Sequence, residues 1–114
     1  DILLGTNGPD FCRGFGGDDI IRTFLGEDVA NGGSGDDTLR LGGANDVGRG
    51  GTGNDLVTGG KTNDTIRLGA GDDIGKGDGG RDAVFCGPGD DVASGGTGNH
   101  DFASGNCERV KTTP

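Results

Sequence analysis

The chain contains no Trp, Tyr or Met, one His and three Pro, and aromatic residues make up only 4% of it. Its cations number 10 against 19 acids. Each scarcity removes a class of protein. Phosphate binding needs clustered positive charge, so a net charge of −9 argues against a nucleic-acid binder. No apolar run approaches the ~20 residues of a membrane-spanning helix. With a single His and no Ser–His constellation, no catalytic apparatus is legible, and the chain reads as a non-enzyme. No leader segment is recognisable and Asp1 is not an initiator Met, so a processed or excised chain is expected. Leu, Ile, Val and Phe together number 23 in 114 residues, at the edge of what a packed core requires.

What is abundant is glycine, 29 residues. At about 1 kcal/mol per site relative to Ala, this density excludes a helical bundle. Composition alone would suggest disorder. The order of the residues contradicts that. Asp recurs at positions 1, 10, 19, 28, 37, 46, 55, 64, 73, 82 and 91, a spacing of nine without a slip. His100 then inserts one residue and Asp101 resumes the series. The copies Gly32-Gly33-Ser34-Gly35-Asp36-Asp37, Gly50-Gly51-Thr52-Gly53-Asn54-Asp55 and Gly95-Gly96-Thr97-Gly98-Asn99 give the pattern Gly-Gly-x-Gly-x-Asp-x-U-x, U being a large aliphatic residue. The residue before the Asp is usually acidic or an amide as well, as at Asp18, Asp36, Asn54, Asp72 and Asp90. Pro9 and Arg81 break that column.

This pattern resembles the RTX family of calcium-binding nonapeptide repeats. The resemblance implies an all-β parallel β-roll, with about six coils of two repeats each and Gly/Asp turns on both edges. It divides the chain into a repeat domain over 1–104 and a degenerate last repeat with a C-terminal cap over 105–114. It also implies several bound Ca²⁺ ions, each between two turns of one edge, which pairs Asp10, Asp28, Asp46 and Asp64 successively on one edge. Asp19, Asp37, Asp55, Asp73 and Asp91 pair on the other. Asp18, Asp36, Asn54, Asp72, Asp82 and Asp90 complete the candidate ligands. The chemistry agrees: calcium takes six to eight hard oxygens, and glycine reaches the positive φ that turns carbonyls inward. Turns in which Ala44 and Thr62 replace the fourth-position Gly, or Arg81 precedes Asp82, are expected to be weak.

Between turns, each Asp is followed by a short strand. The second residue after it is never charged: Leu3, Ile21, Leu39, Val57 and Ile66 are bulky, and Ala30, Gly48 and Gly75 are small. This side is expected to face inward and interdigitate across two sheets. The segments Thr38–Gly42 and Thr65–Gly69 are 27 residues apart, which also fits a three-sided coil; the resemblance favours the two-sided coil of eighteen. The column directly after the Asp (Ile2, Phe11, Ile20, Val29, Val47, Leu56) should point outward although mostly apolar, with Arg13, Arg22, Arg40, Arg49, Arg67 and Lys76 beside it.

Three cysteines in an acidic chain suggest an oxidising, extracellular setting. Cys86 and Cys107, read as belonging to units of one sheet, are the expected disulfide, and Cys12 reads as a small buried hydrophobe. Gly75-x-Gly77-x-x-Gly80 matches a dinucleotide fingerprint formally, but the repeat already explains its glycines. Three functions follow as expectations. One is a secreted calcium-binding structural module, extracellular or at the cell surface, that folds on binding the ion. Another is a filament, matrix or surface-layer subunit that self-associates through its apolar outward column. Ice binding is suggested by Thr6-Asn7, Thr52-Gly53-Asn54 and Thr62-Asn63, but Gly16, Leu25, Gly43, Ala70 and Pro88 interrupt those ranks.

Overall fold

The computed structural model describes residues 1–97, 102–104 and 107–113. Every regular element among them is a strand. Strands β1 (Ile2–Leu4), β3 (Ile20–Arg22), β5 (Thr38–Gly42), β7 (Leu56–Gly60), β9 (Ile74–Asp78), β11 (Asp91–Thr97) and β13 (Cys107–Thr113) form one parallel sheet in that order. The second parallel sheet holds β2 (Phe11–Arg13), β4 (Val29–Ser34), β6 (Val47–Thr52), β8 (Thr65–Ala70), β10 (Ala83–Phe85) and β12 (Phe102–Ser104). The chain alternates between the sheets, and partners lie 18 residues apart, as in Leu39↔Val57 and Gly48↔Ile66. The coil is therefore two-sided, and the architecture is a β-roll. Ala83 pairs with Phe102, 19 residues on, which absorbs the extra residue at His100 without breaking the ladder. His100, Asp101, Gly98-Asn99 and Gly105-Asn106 lie outside the described residues.

The inward column is the core. Ile21, Leu39, Val57 and Ile66 are fully buried, and Leu41 and Leu68, two residues further along their strands, join them. Large and small residues interlock: a Cβ on Gly48 would stand 2.9 Å from both Leu41 and Val57, and one on Gly75 2.9 Å from Val84. A molecule 33 × 29 × 13 Å across is thin because two sheets stack only about 10 Å apart. The outward apolar column is half-covered inside the roll at Val29, Val47 and Leu56, and more open at Ile20 and Ile74.

Two kinds of turn join the sheets. The first edge, from second sheet to first, contains Asp19, Asp37, Asp55, Asp73 and Asp91, with glycine of positive φ at the fourth position throughout (Gly17, Gly35, Gly53, Gly71, Gly89). The second edge contains Asp10, Asp28, Asp46, Asp64 and Asp82 and departs from the pattern. There Phe24, Ala44, Thr62 and Asp78 occupy the left-handed region with φ between 67° and 77°, as Phe15 does at φ 75° on the first edge. Ala44 and Thr62 thus keep the turn conformation that glycine would supply, at a cost of order 1 kcal/mol each.

Gly51 shows why glycine recurs. It has φ +110°, and a Cβ there would collide with the backbone carbonyl of Gly33 in the preceding coil. Gly51→Ala should lower the urea midpoint of the calcium-loaded protein by the equivalent of about 1–3 kcal/mol. Gly16→Ala on the same edge, where a Cβ meets only Ser34 Oγ at 3.3 Å, should stay near neutral. Equal effects at the two positions would refute the close-approach argument.

Cys86 and Cys107 are disulfide-bonded with their Cα atoms 5.3 Å apart. The pairing is the expected one, but its placement differs. Cys86 follows β10 in the second sheet, whereas Cys107 opens β13 in the first, so the bridge crosses an edge of the roll. The reason is that the chain beyond Ser104 re-enters the first sheet after only two residues. Cys12 is only partly buried, packed against the core, and its thiol is pushed up by burial and by the charges of Asp10 and Asp28.

Candidate metal centre

The repeating Asp is buried on both edges although it is ionisable. Asp19, Asp28, Asp37, Asp46, Asp55, Asp64, Asp73 and Asp91 are at most 3% exposed. Each lies at the end of a turn, just before a strand whose ladder fixes its backbone. One carboxylate oxygen of each is committed, that of Asp19 to the Asp1 ammonium at 2.8 Å and those of the others to a backbone N–H one coil earlier. The Asp37 N–H donates to Asp55 Oδ1 at 2.8 Å, and Asp55 donates in turn to Asp73 Oδ1 at 2.7 Å. Asp19 donates likewise to Asp37, and Asp73 to Asp91. On the second edge the same bonds run from Asp10 to Asp28, Asp46, Asp64 and Asp82 at 2.7–2.9 Å. Carboxylates expected to pair are thus brought together as neighbours in two continuous columns.

The other oxygen is the conspicuous one. Oδ2 of each of those eight aspartates is buried and accepts no hydrogen bond. An unpaired buried carboxylate oxygen is among the most costly groups a protein can contain. Its surroundings are oxygen-rich in part. The point a Cβ on Gly50 would occupy lies 2.6 Å from Asp55 Oδ2 and 2.7 Å from the Leu68 carbonyl oxygen. At Gly14 the corresponding point meets Asp19 Oδ2 and the Gly32 carbonyl. Where the first turn position is glycine, as at Gly14, Gly32 and Gly50 on the first edge and Gly59 and Gly77 on the second, the carboxylate packs against the glycine, and a Cβ there would collide with Oδ2. Thr23, Leu41, Leu68 and Cys86 fill the corresponding place in the turns of Asp28, Asp46, Asp73 and Asp91.

The electrostatic consequence is a set of reluctant acids. Asp46, Asp64 and Asp73 are pushed up to about 7 and Asp55 to about 6, first by burial and then by neighbouring carboxylates. The N–H donors of Asp28, Asp37, Asp46 and Asp55 oppose the shift without cancelling it. Asp28, Asp37 and Asp91 are raised for the same leading reason.

The residues before these aspartates form a separate ladder of opposite direction. Asp18 Oδ1 accepts from Asp36 N–H, Asp36 from Asn54, Asn54 from Asp72 and Asp72 from Asp90, at 2.8–2.9 Å. Asn45 and Asn63 do the same on the second edge, the last bond coming from Arg81 N–H at 2.7 Å. These side chains are exposed, and the amide of Asn54 serves as well as a carboxylate. The resemblance counts them among the candidate metal ligands; the structure adds a hydrogen-bonding role that the sequence reading missed. The mixture of Asp with Asn in that column was the available signal, because only a carbonyl-type oxygen is common to both.

Among the described residues no three His, Cys, Asp or Glu side chains converge. A cation in these turns must therefore draw most of its oxygens from backbone carbonyls. Calcium accepts that donor set, whereas zinc seeks Cys and His. The donor chemistry, the partnerless Oδ2 atoms and the neighbouring backbone carbonyls together fit calcium.

These features define a calcium-binding repeat β-roll. The sequence profile of the RTX calcium-binding nonapeptide repeat (four copies) matches residues 1–23, 14–48, 22–57, 49–84 and 86–99, and the chain belongs to that family. The family is a structural calcium-binding repeat rather than a family of enzymes. No curated protein and no solved structure matches the chain.

Proposed function

We propose that this chain is a secreted structural module whose folding is completed by calcium, held at the inner aspartate columns. The observation that carries this reading is the row of buried carboxylate oxygens without partners. Asp19, Asp37 and Asp55, in successive coils of the first edge, whose fourth turn position is glycine throughout, are the leading ligands, with Asp73 and Asp91 continuing the column. Asp10, Asp28, Asp46, Asp64 and Asp82 offer a second row through less regular turns. The ion supplies the positive charge the column lacks, and the Gly-rich turns supply carbonyl oxygens. The outer column, Asp18, Asp36, Asn54, Asp72 and Asp90, adds negative potential over the same edge. Several Ca²⁺ ions per chain follow, about five balancing the net −9. Repeats 1–104 form the roll, and 105–114 close it.

Secretion fits the module, since extracellular calcium would drive folding after export, and the disulfide fits an oxidising compartment. Self-association is a second reading, favoured by the exposed Ile20 and Ile74 on one sheet face. The test counts ions. Calcium retained after desalting is measured for the native chain and for a double Asp37→Asn, Asp55→Asn variant. The native chain should carry several ions and the variant at least one fewer. A native chain without calcium would overturn the proposal.

A further inference from the structure

On the first sheet, Arg22, Arg40, Thr58 and Lys76 occupy the same strand position in β3, β5, β7 and β9 and are in-register partners. With strands about 4.8 Å apart, they make a rail about 14 Å long parallel to the roll axis. Beside it runs a groove in two contiguous parts, of about 450 and 880 Å³, which share Phe24, Gly42, Gly60 and Asp78. Its floor is glycine backbone. Leu25, Lys61 and Phe24 also line it, with Arg22 over the Phe24 ring at 5.6 Å. The groove exists because the second edge has lost regularity: Leu25 and Lys61 project where Gly43 and Gly79 leave nothing.

Of the cations here Arg22 lies over Phe24, as Arg13 and Arg67 lie over rings on the other face, whereas Arg40, Lys61 and Lys76 have no such contact among the described residues. Although the protein is strongly acidic, Arg22, Arg40, Lys61 and Lys76 make no ion pair among the described residues. The acids lie mostly in the turn columns, and Asp78 is the acid that lines both parts of the groove. We propose that this groove binds a strand of acidic polysaccharide, laid along the roll axis with its anionic groups on the Arg22–Arg40–Lys76 rail.

Three features select that ligand class. A glycine floor offers no side pockets, so it cannot read the side chains of a peptide, but it admits the flat face of a sugar ring. The exposed Phe24 ring provides an apolar platform for such a face, and the Thr58 hydroxyl and Asn7 amide can bond sugar hydroxyls. The rail is sparse, with Thr58 interrupting it, which suits a polymer of spaced charges. A nucleic acid, charged at every residue, would exceed what this sparse rail can pair and would find one aromatic ring rather than a stacking series.

The other face supplies the control. Arg13, Arg49 and Arg67 stand there in comparable number, but Arg13 lies over Phe11 and Phe15, Arg67 lies over Phe85, and the adjoining groove is about 240 Å³. The experiment titrates calcium-loaded protein with a short oligogalacturonate, a neutral maltooligosaccharide of equal length, an oligothymidylate and an oligoglutamate. Folding of every variant is checked by circular dichroism. The triple variant Arg22→Gln, Arg40→Gln, Lys76→Gln should lose about tenfold or more in oligogalacturonate affinity, three contacts of exposed-pair strength acting together. The triple variant Arg13→Gln, Arg49→Gln, Arg67→Gln should bind nearly as the native protein does, and the neutral sugar should bind far more weakly. Equal losses in the two variants, or unaffected binding in both (as when calcium bridges the uronate to the acidic edge), would overturn the groove. Oligothymidylate or oligoglutamate binding as tightly through the same three residues would overturn the ligand class, as would no binding of oligogalacturonate.

Discussion

Stripped of calcium at neutral pH, the chain should lose its β-type far-UV circular dichroism and sediment as an expanded coil. Added Ca²⁺ should restore both, and Mg²⁺ should not. The expected effect is loss of the whole fold, because the terms opposing it act together. Few large side chains fill the core, and eight buried carboxylates present an oxygen with no partner. Adjacent aspartates of one column repel each other across successive coils. Calcium bound to the native state alone contributes RT ln(1 + [Ca²⁺]/Kd), about 2.7 kcal/mol per site at a hundredfold excess over Kd. Several sites then contribute as much as the total stability of a typical small domain. Magnesium demands a smaller octahedral shell and releases its water reluctantly, so carbonyl-rich turns suit it poorly. A β spectrum that survives chelation in metal-free protein would show that packing and the Cys86–Cys107 disulfide suffice.

Acid should do part of calcium's work. The metal-free chain, prepared by chelation and desalting, should gain β structure as pH falls from about 8 to 5. Asp46, Asp64 and Asp73 are raised to about 7 and Asp55 to about 6 in the folded state, well above the usual carboxylate range. The folded chain therefore binds more protons than the unfolded chain between about pH 4 and 7. Stability tied to these groups is fully present at low pH and is lost as pH rises through their folded values. With calcium bound the dependence should reverse, because protons compete with the ion for the same oxygens and acid releases it. The check is a pair of urea-midpoint profiles against pH, with and without calcium, whose slopes should have opposite sign. Parallel profiles would mean that the inner aspartates are not where the ion sits.

Much of this was legible from spacing. A nine-residue period in Asp fixes where each turn ends, and an uncharged residue two places later fixes the inward side, because side chains alternate along a strand. Ile21, Leu39, Val57 and Ile66 were identifiable as core by that parity alone. The choice between a two-sided and a three-sided coil was not, since a period of nine is a factor of both 18 and 27. The expected disulfide partners were right, yet the sheet of Cys107 was misread, because the last repeat has lost the turn that keeps the others in phase.

The candidate site divides in the same way. The sequence determined which oxygens are available, and in which column, because ligand chemistry follows residue type. It also determined that turns at Ala44, Thr62 and Arg81 depart from the pattern. Only the tertiary structure separated the inner aspartates from the outer Asp/Asn ladder. One residue along the chain reverses the direction a side chain points, and burial, not identity, leaves one carboxylate oxygen without a partner. Only the structure, too, joined Arg22, Arg40 and Lys76 into a rail beside Phe24 and Leu25. Residues 18 apart in sequence become neighbours through the stacking of coils, and a groove is a property of that stack rather than of any one repeat.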